Sequence, residues 1–250
     1  AFLRNGDMVL ATGRNLSERK DILSVERNAY PGKLIELNLD VTSLEEISKV
    51  VREVTSQFGA IDVLINNAGH GLFGALEDLE DAQIRTQMEV NFFGTVNVTR
   101  AFLPLLRQSK GKIFNLSSVF GFMGFPLSSL YCASKHAVEG FTESLRLELA
   151  PHNVQVCLIE PGGYDTNFGN SLSWGDTKST SPYYLQSINY QDVRRKASER
   201  KRVQNPQEVS EGILELSKLT KLPMRKVFGK DGKISRFMKQ WLPEEMYWAV

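Results

Sequence analysis

Three apolar, strand-like runs in this chain each stop abruptly at small or polar residues, and this restricts the fold more than any other feature. Residues 61–65 run into Asn66-Asn67-Ala68-Gly69, residues 112–116 end in Asn115-Leu116-Ser117-Ser118, and residues 154–159 meet Pro161-Gly162-Gly163. Short, mostly apolar runs suit strands buried on both faces, as in a parallel sheet covered by helices. Helix-period segments stand between them, so the pattern predicts an α/β fold: a doubly wound parallel sheet with right-handed crossovers. In such open sheets the ligand crevice lies beyond the carboxyl ends of the strands, and the three strand-end motifs are therefore predicted to converge on one site.

The remaining elements follow the same alternation. Residues 8–12 and 34–38 read as strands, with a polar, helical stretch over 16–28 between them. Ahead of them, residues 1–6 read as a last helical turn capped by a left-handed Gly6. A helix over 43–58 is well marked by Ile47, Val50, Val51 and Val54 on one face and by a capping box at Ser43-Leu44-Glu45-Glu46. A helical region over 81–106 should weaken at Pro104. Another helix opens near Pro126 and stops at Pro151. The pattern turns irregular from Tyr164 to Pro182, then gives helices near 184–200 and 206–219 and a strand at 226–228.

The helix that opens near Pro126 carries the chemistry. Tyr131 and Lys135 stand four residues apart, so they share one helix face. Ser118, at the end of the preceding strand, can be brought beside them by the loop through Gly121, with Ser117 as its nearest rival. Tyr131 is a natural proton donor or acceptor for a carbonyl/alcohol pair, but an ordinary phenol pKa near 10 is high for that task. A Lys135 cation nearby would favour the phenolate, and Ser118 would hold the substrate oxygen. None of the three supplies a hydride, so a nicotinamide cofactor is implied.

Composition excludes several alternatives. With 30 basic against 29 acidic side chains the formal net charge is +1, which argues against a nucleic-acid or polybasic membrane surface. No apolar run is long enough to span a membrane. Two cysteines, Cys132 and Cys157, both inside predicted elements, suit a reduced, cytoplasmic protein better than a disulfide framework. His70, His136 and His152 have no companion at metal-ligand spacing, so no metal site is expected. A length of 250 residues fits one domain, with the segment over 164–182 as a loop on the substrate side. Phe120, Phe122, Met123 and Phe125, and later Tyr164, Phe168, Trp174, Tyr183 and Tyr184, either line a lipophilic pocket or pack the core.

Asn66-Asn67-Ala68-Gly69, Asn91 within Asn91-Phe92-Phe93-Gly94, Ser118, Tyr131-x-x-x-Lys135 and Pro161-Gly162, in that order, make the chain resemble the short-chain dehydrogenase/reductase family in its ordinary form. The resemblance implies a Rossmann-like sheet and reversible hydride transfer between a carbonyl/alcohol pair and a nicotinamide. By the same resemblance Tyr131 is the acid/base, Lys135 lowers its pKa and holds the nicotinamide ribose, and Ser118 binds the substrate oxygen. Asn91 positions a water that relays protons to Lys135, although a polar residue at a helix bend is the plainer reading. Asn67, Ala68 and Gly69 lie along the ribose side of the cofactor, Pro161, Gly162 and Thr166 near the nicotinamide, and Asp40 and Val41 near the adenine. A homodimer or homotetramer is implied, through the helices over 81–106 and 127–149.

Cofactor choice rests on the end of the strand over 8–12. An acid there would bond the ribose 2′-hydroxyl of NAD, but Gly13 occupies that place and Arg14, suited to a 2′-phosphate, follows it, so NADP is expected over NAD. The resemblance also implies a first strand and a Gly-rich turn ahead of Ala1, central in the sheet, so the chain is expected to be a fragment of a longer reductase. The strands over 8–12 and 61–65 should then stand about two strand spacings apart, roughly 9 to 10 Å, without direct pairing, and dinucleotide binding should be weak. A catalytically silent binding protein of the same fold is the alternative.

Overall fold

The computed structural model describes residues 1–18, 21–166, 168, 172–199 and 204–242. Its strands are β1 (Val9–Gly13), β2 (Leu34–Asn38), β3 (Val63–Asn66), β4 (Gly71–Phe73), β5 (Lys112–Leu116), β6 (Gln155–Pro161), β7 (Leu172–Trp174) and β8 (Arg225–Phe228). The helices are α1 (Ser24–Ala29), α2 (Leu44–Phe58), α3 (Asp81–Met88), α4 (Gly94–Ser109), α5 (Ser129–Leu149), α6 (Tyr184–Glu199), α7 (Gln207–Lys218) and α8 (Lys230–Trp241). The central sheet has the order β3-β5-β6-β8, and all its pairings are parallel. This is the α/β architecture that the alternation of elements predicts.

Alternation along the middle strands divides the interior in two. Successive strand residues point to opposite faces, so Ile113 and Val156 enter a core with Val50, Val54, Phe102, Leu106 and Leu145 from α2, α4 and α5. Their neighbours Phe114, Cys157 and Ile159 enter a second core with Ile213 and Leu216 of α7. Both faces of β5 and β6 are thereby closed to water, which is why the middles of these strands, Ile113-Phe114 and Val156-Cys157-Leu158-Ile159, are apolar on both faces.

β1 and β2 pair with each other in parallel and form a separate two-stranded ribbon. β1 is not hydrogen-bonded to β3, as the sequence leads one to expect. The exposure of Met8 and Ile65, 48% and 36%, shows how much less these strands are covered than β5 or β6.

Local chemistry sets the helix ends. Ser43 caps α2 by accepting from Glu46 N at 3.2 Å, but the Glu46 carboxylate turns to Asp40 N at 2.7 Å, so only half of the expected capping box forms. Gly59, at φ +70°, ends the helix with its N–H on Thr55 O. Gly6 likewise caps the short 3₁₀ turn Leu3–Asn5 at φ +91°.

Some expectations need correction. The stretch over 16–28 contains only a 3₁₀ turn, Leu16–Glu18, and the short α1; its polar composition offers little apolar face to hold a longer helix. The region over 81–106 is two helices joined by a π-helical turn, Glu89–Phe93, and α4 continues through Pro104 to Ser109. The long helix begins at Ser129 rather than near Pro126. Within the segment read as irregular, β7 pairs with β4, and Tyr164 bridges to Gln204. Asn167, within that segment, lies outside the described residues, as do Arg200 and Pro243.

Candidate active site

β5, β6 and α5 bring the predicted chemistry together. Tyr131 and Lys135 occupy consecutive turns of α5, at 6% exposure each, and the Lys135 ammonium lies 5.9 Å from the centre of the Tyr131 ring. Ser118 is buried at the end of β5, and hydrogen bonding by its side chain acts on the Tyr131 phenol. Lys135 Nζ donates to the Leu116 carbonyl at 2.8 Å, which ties α5 to the end of the same strand.

Electrostatics here differ from the sequence expectation. Burial pushes the Tyr131 phenol up to about 12, and the groups that act against the rise are Ser118 and Arg194, not Lys135. Lys135 is itself drawn down to about 8 by burial, with Glu139 one turn on opposing the fall. Desolvation penalises whichever form is charged, so it raises the phenol and lowers the amine together. In this protein-only environment the proton therefore stays on Tyr131.

Asn91 sits in the π-helical turn between α3 and α4, at 1% exposure. Its Oδ1 accepts from His70 N at 2.9 Å, while its Nδ2 donates to His70 O at 2.9 Å and to Ser134 Oγ at 3.1 Å. Asn91 is thus a polar group at a helix irregularity, and its bond to Ser134 places it beside the Tyr/Lys helix. A Cβ added to Gly69 would stand 3.1 Å from Asn91 Oδ1 and 3.7 Å from Lys135 Nζ, so the strand-end loop after β3 passes directly over both.

Beneath these groups lies a polar ladder. Asn66 and Asn115 are register partners at the ends of β3 and β5. Asn66 Nδ2 donates to Asn115 Oδ1 at 2.7 Å and to Thr99 Oγ1 at 2.8 Å, and Asn115 Nδ2 donates to Thr142 Oγ1 at 2.9 Å. The ladder joins β3, α4, β5 and α5. Its one signal in the sequence is an Asn closing each of two separate apolar runs.

The residues expected around a dinucleotide are arranged more openly. Asn67 and Ala68 are exposed past the end of β3, and Arg14 is exposed past the end of β1. No carboxylate lies within ion-pair distance of Arg14 among the described residues, yet its charge reaches Asp40 and His70. Burial alone would raise the Asp40 carboxyl; hydrogen bonds from Thr42 N at 2.9 Å and Thr42 Oγ1 at 2.7 Å, together with Arg14, hold it below its ordinary range. Val41 packs against Gly94, where an added Cβ would come within 2.6 Å of Val41 Cγ2. Pro161 and Gly162 end β6 beside β8, Gly162 N donating to Phe228 O at 3.0 Å, and Thr166 is exposed with its Oγ1 accepting from Phe168 N at 3.3 Å. Donors, a small-residue loop and an unpaired guanidinium fit an anionic nucleotide on this side.

Aromatic rings surround the phenol on the other side. Ring centres of Phe120, Phe73 and Phe168 lie 5.2, 5.8 and 5.8 Å from that of Tyr131. Trp174 and Tyr190 extend the cluster from Phe73 at 5.5 and 6.4 Å, and Phe125 stacks 4.3 Å from Phe120. Phe73 and Tyr190 escaped the sequence reading because one sits in a three-residue strand and the other in a helix of weak periodicity. Phe122 belongs elsewhere, under the Arg236 guanidinium at 4.7 Å, and the hydroxyls of Tyr164 and Tyr183 donate to Glu208 and Glu77. Among the described residues no group of three or more His, Cys, Asp or Glu is placed to hold a metal, and no helix is long and apolar enough to cross a membrane. Cys132 and Cys157 are both free and buried.

A parallel α/β sheet whose strand ends gather a phenol, an ammonium and a hydroxyl defines an oxidoreductase of the nicotinamide-dependent kind, and the comparisons agree. Residues 1–176 match the short chain dehydrogenase family, to which the chain belongs. It is 35% identical over 243 residues to a 3-ketodihydrosphingosine reductase of Bacteroides thetaiotaomicron, covering 94% of this chain and 89% of that protein. Among solved structures it is similar to a short-chain dehydrogenase from Streptomyces avermitilis, with a TM-score of 0.80 and 29% identity over 99% of this chain and 92% of the other. It is also similar to the closed form of a serine dehydrogenase complexed with NADP+, with a TM-score of 0.76 and 27% identity, covering 91% and 86%.

Proposed function

We propose that the protein is an NADP-dependent oxidoreductase interconverting a ketone or aldehyde and an alcohol on a hydrophobic substrate, with Tyr131 as the acid/base. The observation that carries this reading is the buried Tyr131 phenol, set between Ser118 and Lys135 and walled by aromatic rings. A bound nicotinamide supplies or accepts the hydride. Asn67, Ala68, Gly69, Pro161, Gly162 and Thr166 would hold it, with Asp40 and Val41 on the adenine side and Arg14 toward a 2′-phosphate. The similar dehydrogenase that holds NADP+ and the relative named as a keto reductase support the same assignment.

In the reducing direction the substrate oxygen sits against Ser118 Oγ and Tyr131 Oη. As the carbonyl carbon gains its hydride, the oxygen takes the phenolic proton and leaves an alcohol. Tyr131 is left as phenolate, the form that desolvation penalises most and that the hydrogen bond with Ser118 and the Arg194 cation then favour. A proton returns from solvent by way of Lys135 and a water that Asn91 would position, so the balance is one carbonyl, one hydride and one proton to one alcohol. The drawn-down pKa of Lys135, about 8, suits it to give up and regain a proton near neutral pH.

Tyr131→Phe tests the assignment. It keeps the ring packing and removes the proton, so kcat should fall by about 100- to 10,000-fold while the thermal midpoint stays close to wild type. Turnover close to wild type would refute Tyr131 as acid/base. Nicotinamide binding without turnover in the unaltered protein would favour a silent binding role instead. Self-association through α4 and α5 belongs to the same reading, supported by the exposed side chains of Phe93 and Leu147, and sedimentation measures it directly.

A further inference from the structure

The aromatic wall contains one charged group whose N–H donors the chemistry above does not use. Arg194, from α6, lays its guanidinium 4.4 Å from the centre of the Phe73 ring and 5.9 Å from that of Tyr190. Phe73 in turn is a neighbour of Tyr131, so the cation is one ring removed from the proposed acid/base. Its neighbours on α6 behave differently: Arg195 and Lys196 both pair with Asp192. No carboxylate lies within ion-pair distance of Arg194 among the described residues.

We propose that Arg194 is the anion-recognising residue of the substrate pocket, and that the substrate is a hydrophobic carbonyl compound or alcohol carrying a carboxylate or an equivalent oxyanion. The proposal rests on the carbonyl-reductase reading for the word substrate, but its anion site stands on geometry alone. A guanidinium half withdrawn from water against an apolar ring keeps its in-plane N–H donors free, and a carboxylate is the ligand that meets them in pairs. The Phe73 and Tyr190 rings hold the guanidinium in place by cation–π attraction. Beside it, an open cleft of about 520 Å³ is lined by Pro126, Gln186, Asn189, Tyr190 and Val193. That volume accommodates an alkyl or isoprenoid chain, and its lining mixes apolar rings and methyls with two neutral amides. The charge of Arg194 also reaches the Tyr131 phenol and lowers its pKa. An anion seated on Arg194 would cancel part of that effect, which ties recognition to the proton step.

The test compares 4-oxodecanoate with its methyl ester, which differ in charge but share the carbonyl, using the complete protein with NADPH. The acid should be reduced with kcat/KM at least about tenfold above the ester, as for one charge-assisted pair. Arg194→Gln should bring that ratio close to unity, and Arg194→Lys, which keeps the charge but loses the planar fork, should keep only part of it. Equal use of acid and ester by wild type, or an unchanged ratio in Arg194→Gln, would overturn the proposal. A second readout needs no turnover: decanoate should quench the fluorescence of Trp174, which lies 5.5 Å from Phe73, with Trp174→Phe identifying the signal. Arg194→Gln should weaken decanoate binding about tenfold relative to decanol. If neither ketone is reduced but decanoate binding depends on Arg194, the reductase reading fails and the anion site survives. If decanoate and decanol bind alike, the anion site fails whatever the turnover.

Discussion

The two sides of this crevice are built on opposite principles. On the α5 side the functional groups are buried and bonded to one another: Asn91 is held at three points and Lys135 is tied to Leu116 O, with the Asn66–Asn115 ladder beneath them. On the β1–β2 side, Arg14, Asn67 and Ala68 are exposed, and β1 has no hydrogen-bonded partner toward β3. One side is fixed by hydrogen bonds within the chain, whereas the other offers donors and charge to whatever binds there. Proton handling depends on distances kept before any ligand arrives, so it belongs to the first side. Recognition of a long, charged cofactor tolerates looser groups, because the ligand brings its own rigidity and charge.

The largest effect that would break this contrast is expected at the ladder. Asn115→Leu leaves the Asn66 amide and the Thr142 hydroxyl short of a buried partner, and should cost about 2–4 kcal/mol in denaturant unfolding. A neutral or stabilising result would mean that the α5 side is not held by its polar interior.

Next in size, Arg14→Asp should lower the kcat/KM preference for NADPH over NADH by about 10- to 100-fold, because it removes a charge-assisted hydrogen bond to the 2′-phosphate and puts a like charge in its place. An unchanged preference would remove Arg14 from the cofactor side.

The smallest effect sharpens the picture of the buried side. Glu139 and Glu160 are both held above the ordinary carboxylate range by burial, and Glu139, raised further by the Glu160 charge, is pushed from 4.5 up to about 7. A raised folded-state pKa means that the native protein binds the proton more tightly than the unfolded chain. The associated stability is therefore complete below about pH 4.5 and lost as pH rises toward 7. Wild type should lose up to about 1.4 kcal/mol per pH unit in that window relative to Glu139→Gln. Parallel stability curves for the two proteins from pH 5 to 8 would show that the pair does not share a proton.

Legibility from sequence follows the same division. The strand ends, the Tyr131–Lys135 face and Ser118 are readable because they follow from local periodicity and from the rule that parallel strands open their ligand crevice at one end. Asn66 bonding to Asn115, and Phe73 stacking beneath Arg194, join residues far apart in the chain that no local pattern connects. The pKa of Tyr131 departs from the sequence expectation for a related reason: opposite charge is visible as spacing, while desolvation depends on the rings of Phe73, Phe120 and Phe168, which come from separate parts of the chain. The π-helical turn at Asn91 also leaves no periodic trace, since one extra residue in a turn only blurs the apolar stripe.

The paired asparagines have one more consequence, for alignment. A strand that slips by one residue turns its side chains to the other face, so sliding β3 against β5 by one step would carry the Asn66 amide away from Asn115 and Thr99. The Asn66–Asn115 bond therefore acts as a key that admits a single register. It sets the loops after both strands at one height, and so keeps the groups proposed to meet the cofactor level with those proposed to move the proton.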